Sequence, residues 1–278
     1  MSATSIPPAV QEMIDAAAPG WQPVLAKGIA ALAAAQPTYL PALLAGEFLP
    51  TEARLFAAFK QPIDAVRYVL VGEGPYPRPA SATGVCFMDG AVGTLWSATG
   101  LSKPVNRATS LRNFMKMLLV ADGVLAPERT SGDALMQIAI DAQQDQAGTI
   151  QTLPELQANL LANGFLLLNA ALVFRTSVPP SQEARAWQPF LETVLAALAE
   201  HAVACERVPP TLILWGKIAG QVGAIAASSA FPKAIAEHPY NLSFITNQAM
   251  HSLFADMALL RRIPESPVRP GDDHAFTK

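Results

Sequence analysis

The chain has 278 residues and a mass of 29.4 kDa, which suits one large α/β domain or two small ones. Hydrophobic residues make up 51% of it, enough for a substantial core, and this excludes a disordered chain. The formal net charge of -3 excludes a protein that binds nucleic acid through a uniformly basic surface. Any contact with DNA must therefore come from a local patch.

The N-terminus and the cysteines indicate a cytoplasmic protein. The stretch "MSATSIPPAVQEMIDAAAPGW" carries acids and prolines where a signal peptide has a basic start and an apolar run, and no apolar run approaches membrane-spanning length. Cys86 and Cys205 lie far apart without metal-ligand spacing, so the simplest interpretation is two buried thiols in a reducing compartment. We expect no metal, iron–sulfur cluster or other cofactor, no membrane partner, and a monomer.

Residues 1–60 are alanine-rich and interrupted by prolines, which predicts short helices that cover a core. The apolar residues at helical spacing there are Val24, Leu25, Ile29 and Leu32.

Four short apolar runs follow, and each one stops at glycine, proline or a polar turn. In chain order they are "RYVLVG", "GFLLLNAALVF", "TLILWG" and the weaker "FPKAIAEHP". Helical patterns such as "PFLETVLAALAEHAV" and "NQAMHSLFADMALLRRI" accompany them. This alternation predicts an α/β fold of three α/β/α layers around a central, mostly parallel four-stranded sheet.

We expect a single domain over residues 1–263. The polar segment 121–153 contains one helical stretch and is too short to fold alone, so it is interpreted as an excursion from the sheet. Residues 264–278 combine prolines with mixed charges and are predicted to form a loose tail.

In an open α/β sheet the ligand crevice lies beyond the carboxyl ends of the strands, so the residues after each apolar run are the site candidates. The first end is "GEGPYP", Gly72 to Pro77. It matches a dinucleotide-binding loop only as far as Gly-x-Gly, because the third glycine is replaced by Pro77, and Pro75 removes a backbone donor. A dinucleotide site is therefore disfavoured.

The other three ends supply Asn169, Lys217 and His238. A buried Asn169 must find partners for its oxygen and its nitrogen, which are either a neighbouring loop or a ligand edge with one donor and one acceptor, such as a pyrimidine. Lys217 suits a phosphate but could equally be an ordinary exposed lysine. His238, taken alone, is more typical of a structural or surface histidine.

Together these stretches resemble the uracil-DNA glycosylase superfamily, most closely the family of the classical enzyme. The matching motifs, in family order over nearly the whole chain, are "GEGPYPRPASATGVCF", "SLRNFMKML", "GFLLLNAALVFR" with Trp187 downstream, "LILWGKIAG" and "HPYNLS". The resemblance implies an enzyme that hydrolyses the N-glycosidic bond of uracil in DNA and leaves an abasic site.

The resemblance also assigns roles in the base pocket. Phe87 matches the aromatic platform for a base flipped out of the duplex, and Asn169 matches the residue that reads its edge. Tyr76 matches the tyrosine whose ring blocks the pyrimidine 5-position, so that the methyl group of thymine clashes.

Four further residues match contacts to DNA, the expected partner in single- or double-stranded form. Leu242 matches the apolar wedge that enters the duplex, and Ser110, Lys217 and Ser243 match phosphate contacts. Lysine replaces the family's serine at position 217, which adds positive charge to an acidic chain.

The catalytic groups depart from the family pattern. His238 matches the histidine that hydrogen-bonds an oxygen of the departing base, and the backbone N–H groups near Glu73 and Gly74 could share that work. The family's water-activating aspartate is replaced by Gly74, and Pro77 replaces its histidine. Glu73 is the nearest acid that could act instead, with Asp89 in reserve.

Two other functions stay open at this point. One is a relative that binds DNA and uracil but cleaves slowly or not at all, which the missing aspartate favours. The other is a glycosylase for another lesion, such as a deaminated purine, which needs a roomier pocket than one closed by Tyr76.

Overall fold

The computed structural model describes residues 6–146 and 148–263; the predicted loose tail, 264–278, lies outside the described residues. The strands are β1 (Tyr68–Gly72), β2 (Trp96–Ser97), β3 (Gly100–Leu101), β4 (Phe165–Asn169), β5 (Thr211–Trp215) and β6 (Lys233–Ala236). The helices are α1 (Pro8–Asp15), α2 (Gln22–Ala35), α3 (Tyr39–Leu44), α4 (Lys103–Arg107), α5 (Thr109–Ala121), α6 (Asp133–Gln144), α7 (Leu153–Ala162), α8 (Pro180–Ala204), α9 (Ile218–Gly223) and α10 (Gln248–Phe254).

Strands β4, β1, β5 and β6 form the central sheet in that order, and all neighbours are parallel. In the register of β1 with β4, Gly72 lies beside Asn169. The four strands coincide with the four apolar runs, so the predicted four-stranded parallel sheet is confirmed. Because every strand is parallel, all four carboxyl ends meet at one edge of the sheet.

The sheet is buried on both faces, which explains why its strands are continuous apolar runs. Val69 and Val71 of β1 pack into a core with α1, α2, α3 and α8, whereas Leu70 packs into a second core with α5, α7 and α10. The alternation of these side chains separates the two cores. The predicted three layers are therefore confirmed.

A buried polar network ties the N-terminal helices to α8. The Tyr39 hydroxyl donates to the carboxylate of Glu183, which also forms an ion pair with Arg175. Trp187 donates its indole N–H to the Tyr39 oxygen at 2.7 Å. Glu183 is 2% exposed, so these partners supply the hydrogen bonds that a buried carboxylate needs. The network orders the segment that follows β4.

Three details differ from the sequence-based expectations. The sequence shows a helical pattern from 247 to 263, but the α-helix ends at Phe254. A 3₁₀ turn, Ala255–Met257, follows, and it ends at Ala258, which has a positive φ of 47°. Strands β2 and β3 form a short antiparallel pair that the sequence did not indicate. Cys86 is buried as expected, but Cys205 is exposed because it caps the end of α8.

Between residues 121 and 153 the described chain contains the helix α6, which packs against β2 and β3. Among the described residues, no helix combines the length and apolar character that a membrane span requires.

Candidate active site

The sequence-predicted residues gather along the carboxyl edge of the sheet. Asn169 ends β4, Glu73 and Gly74 follow β1, Lys217 follows β5, and His238 follows β6. Because the strand order is β4, β1, β5, β6, the residues that follow these strands lie along the edge in the same order. The loop after β1 is held in place, since the Ala171 N–H donates to the Glu73 carbonyl at 3.1 Å.

Gly72 permits a close approach at the centre of this edge. A Cβ atom there would lie 2.5 Å from the Cys86 sulfur and 2.9 Å from the Asn169 Oδ1, closer than real side chains come. The Cys86 thiol is buried, and burial raises its pKa to about 12, so it remains a neutral thiol. The absence of a side chain at Gly72 therefore sets the position of the Asn169 amide.

The Asn169 side chain is 5% exposed, and within the described parts of the chain no group forms a hydrogen bond with it. An amide has both an acceptor oxygen and a donor nitrogen. Neither amide atom of Asn169 is among the fully buried side-chain atoms without a hydrogen-bond partner in the described chain, so the amide still reaches solvent at the strand end. The Asn169 amide is thus suited to a ligand edge that offers one acceptor and one donor.

Two aromatic side chains lie in the segment between β1 and β2. Phe87 has a positive φ of 67°, uncommon for a residue with a side chain, and its ring packs edge-on against Phe114 and Trp215. The Tyr76 hydroxyl lies 3.5 Å from the Phe87 carbonyl oxygen. Burial, reinforced by Cys86, raises the pKa of Tyr76 far above its ordinary value, so the phenol is neutral.

His238 lies at the end of the row, where the turn after β5 approaches it closely. Gly216, with a φ of 66°, makes this close approach possible, since a Cβ atom there would lie 2.9 Å from the His238 Cβ. The Nδ1 atom of His238 accepts a hydrogen bond from the Tyr240 N–H at 3.1 Å. Desolvation lowers the pKa of His238, while the negative charge of Glu73 acts in the opposite direction. A neutral imidazole with this bond carries its proton on Nε2 and can donate from there.

The acids near the site have separate environments. Glu73 is exposed, and its negative charge raises the pKa of His238. A Cβ atom at Gly74 would have only the carbonyl oxygen and the Cβ of Ala171 within 4 Å. Asp89 is 5% exposed, accepts from the Ala91 N–H at 2.9 Å and faces Arg78. Asp89 is thus engaged in its own loop, which leaves Glu73 as the available carboxylate.

Sequence reasoning missed one residue that orders the site. Asn113 of α5 is completely buried, and its Nδ2 atom contacts the carbonyl oxygens of Pro239, Tyr240 and Asn241 at 2.7, 3.3 and 3.4 Å. It therefore fixes the loop between His238 and Leu242. The signal available in the sequence was a lone asparagine inside the apolar pattern "LRNFMKML".

The residues matched to DNA contacts lie around this edge. Ser110 is in the first turn of α5, Lys217 is exposed after β5, and Leu242 is 70% exposed. Although burial alone would raise the pKa of Glu237, hydrogen bonds from Ser243 and Asn247 lower it. The Asn247 Nδ2 donates to the Glu237 Oε2 at 2.8 Å.

The carboxyl edge of the parallel sheet thus carries a largely buried amide, an aromatic ring and a neutral histidine. No family model matches the chain. A curated uracil-DNA glycosylase from Corynebacterium glutamicum is 32% identical over 200 residues, which is 71% of each chain. A second, from Mycobacterium ulcerans, is 28% identical over 84% of this chain and 85% of its own. The chain belongs to the uracil-DNA glycosylase family.

A solved structure agrees with this assignment. The wild-type UNG crystal structure from Nitratifractor salsuginis is 38% identical to this chain and superposes with a TM-score of 0.82. The match covers 93% of this chain and 100% of the other.

We expect Gly72→Ala to lower the free energy of unfolding by about 1–3 kcal/mol, because the new methyl group overlaps the Cys86 sulfur and the Asn169 amide. The matched control is Gly74→Ala, whose methyl group meets ordinary contacts and should change stability by no more than about 0.5 kcal/mol. Urea denaturation measures both. Equal effects of the two substitutions would contradict the close approach at Gly72.

We expect Asn113→Ala to loosen residues 239–242, since the loop carbonyls lose their shared donor. The control is Asn159→Ala, which removes a buried asparagine that donates to the carbonyls of Leu259 and Arg261 instead. Both variants should lose about 1–3 kcal/mol of stability. Hydrogen exchange should accelerate at 239–242 in Asn113→Ala alone, and acceleration there in both variants would argue against a specific role.

Proposed function

We propose that this protein hydrolyses the N-glycosidic bond between uracil and deoxyribose in DNA and leaves an abasic site. The observation that carries the proposal is the buried Asn169 amide, which has no partner in the described chain and lies at the edge shared with His238. One edge of uracil presents an N–H donor beside a carbonyl acceptor, and this pairs with both ends of an amide.

Phe87 and Tyr76 complete the base pocket in this proposal. The Phe87 ring, backed by Trp215 and Phe114, gives a rigid aromatic surface for a flipped base. The neutral, largely desolvated Tyr76 ring stands against the pyrimidine 5-position, where thymine carries a methyl group. The pocket thus excludes the normal base and accepts uracil.

His238 stabilises the departing base. As the bond breaks, negative charge develops on uracil, and a donor already placed at its oxygen lowers the barrier. The bond from Tyr240 to Nδ1 leaves Nε2–H free for this purpose. Because the pKa of His238 is below its ordinary value, the imidazole is neutral at pH 7 and stabilises the departing base as a neutral hydrogen-bond donor.

Glu73 takes over the work of the carboxylate that the family has at position 74. Positive charge develops on the sugar, and an anion near the site both stabilises it and orients the attacking water. The influence of Glu73 on the pKa of His238 supports a position facing the site. The carboxylate starts one residue earlier than in the family, so we propose a slower enzyme with intact base recognition.

DNA is bound through a local patch of positive charge. From Lys103 to Lys116 the chain has two lysines and two arginines, Arg107 and Arg112, and no acidic residue. This segment includes Ser110 and leads into α5, which packs against the turn that carries Leu242. Phosphates bind such a patch, and the exposed Leu242 can enter the base stack.

The second candidate function is a relative that binds uracil-containing DNA without cleaving it. The specific observation in its favour is Gly74, which has no side chain to orient water. One experiment, an assay of uracil release, distinguishes a glycosylase from a protein that only binds uracil-containing DNA.

We expect excess protein to release uracil from single- and double-stranded oligonucleotides in single-turnover assays, detected as strand cleavage at the abasic site. His238→Ala should lower the rate by about 10²–10³-fold, the usual effect of removing one such donor. Asn169→Ala should weaken both binding and release, because the base edge loses its partner. Asn163→Ala is the matched control, since that half-buried amide donates to the Asn159 carbonyl on α7, away from the strand ends.

An oligonucleotide with thymine at the same position should give no release. Binding of uracil-containing DNA without any release from either substrate would reject the enzyme and leave the binding relative. Release that survives unchanged in His238→Ala would show that the proposed site is not the active site.

A further inference from the structure

A second group of polar side chains lies at the opposite, amino-terminal edge of the sheet. Asp64 is in the 3₁₀ turn before β1, while His201 and Cys205 are one turn apart at the end of α8. The Asp64 Oδ1 lies 2.7 Å and the Cys205 Sγ 3.7 Å from the His201 Nε2. All three donor atoms lie within 4.8 Å of one another.

The geometry excludes a nucleophilic relay of cysteine, histidine and aspartate. In such a relay the histidine contacts the nucleophile through one ring nitrogen and the carboxylate through the other. Here Asp64 and Cys205 both contact Nε2 of His201. The three donors converge on one point in space, as ligands around an ion do.

We propose that Asp64, His201 and Cys205 bind Zn²⁺, with water as the fourth ligand. Thiolate, imidazole and carboxylate together are a donor set that zinc accepts in tetrahedral geometry. Bonds of about 2.0–2.3 Å place zinc ligands roughly 3.3–3.7 Å apart. The sulfur–nitrogen distance already fits, and the exposed Asp64 carboxylate widens its distance from Nε2 by rotating.

Zinc replaces the thiol proton at this site. Cys205 binds the metal as a thiolate, so its proton is released to solvent, whereas the neutral His201 ring binds through Nε2 and keeps its proton on Nδ1. Cys205 is exposed, which gives the ion a direct path. The bound ion would link the end of α8 to the turn that leads into β1, far along the chain, since Asp64 and His201 are 137 positions apart.

Arg207 is the counter-charge that zinc must displace. Its Nη2 lies 3.4 Å from the His201 Nε2 and 3.8 Å from the Asp64 Oδ1. Its Nη1 and the Nη1 of Arg67 both donate to the Asp64 carbonyl, which holds the backbone of Asp64 in place. The Arg207 side chain is 35% exposed, so Nη2 can turn into solvent when the metal enters.

The test is a titration of the full chain with Co²⁺, which occupies zinc sites and reports its ligands by absorption. One equivalent should produce a thiolate-to-cobalt charge-transfer band together with the visible bands of tetrahedral cobalt, and Zn²⁺ should abolish both. Cys205→Ser should remove the charge-transfer band, and His201→Ala and Asp64→Asn should each weaken binding at least tenfold. Cys86→Ala is the control that should keep the band, because that thiol is buried.

Arg207→Met keeps the aliphatic stem and removes the competing charge, so it should tighten Co²⁺ binding. Zinc should also raise Tm in the wild-type chain and not in Cys205→Ser. Co²⁺ that binds without the charge-transfer band, a band that survives in Cys205→Ser, or no binding at all would each overturn the assignment. Uracil release should not depend on the substitutions at Asp64, His201, Cys205 and Arg207, so the result is independent of the proposed enzyme.

Discussion

The register between β1 and β4 is the constraint on which the site depends. It sets Gly72 beside Asn169, and only a residue without a side chain leaves space there for the amide and for the Cys86 thiol. The parallel order of the four strands then brings Glu73 and His238 to the same edge. In the proposed site, base recognition and chemistry therefore both depend on one backbone arrangement.

Few groups in the proposed site are charged. The histidine is a neutral donor because its surroundings desolvate it, and the buried tyrosine and thiol stay neutral for the same reason. Glu73 is thus the one carboxylate we assign to the reaction. In the proposed mechanism, stabilisation by preplaced donors remains when a water-activating aspartate is absent, and this is the basis for proposing a slower enzyme.

The four strands and their layering could be predicted because each strand is a continuous apolar run that ends at glycine, proline or a polar turn. The strand ends then indicated Asn169 and His238. Asn113 could not be predicted, since a polar residue inside an apolar helix pattern does not show which loop it contacts. The cluster around His201 was equally hidden, because Asp64 is remote in sequence and the exposure of Cys205 depends on where α8 ends. The roles assigned to the site residues, the monomeric state and the cytoplasmic location stay predictions.

The most direct test of the central claim is the single-turnover rate of uracil release by Glu73→Gln alone and in combination with Gly74→Asp. The structure has room for a side chain at Gly74. If Glu73 supplies the missing carboxylate, Glu73→Gln should lower the rate by about 10²–10⁴-fold, and Gly74→Asp should restore much of it. Gly74→Asn in the same background should restore nothing. A Glu73→Gln variant as fast as the wild type would contradict the account.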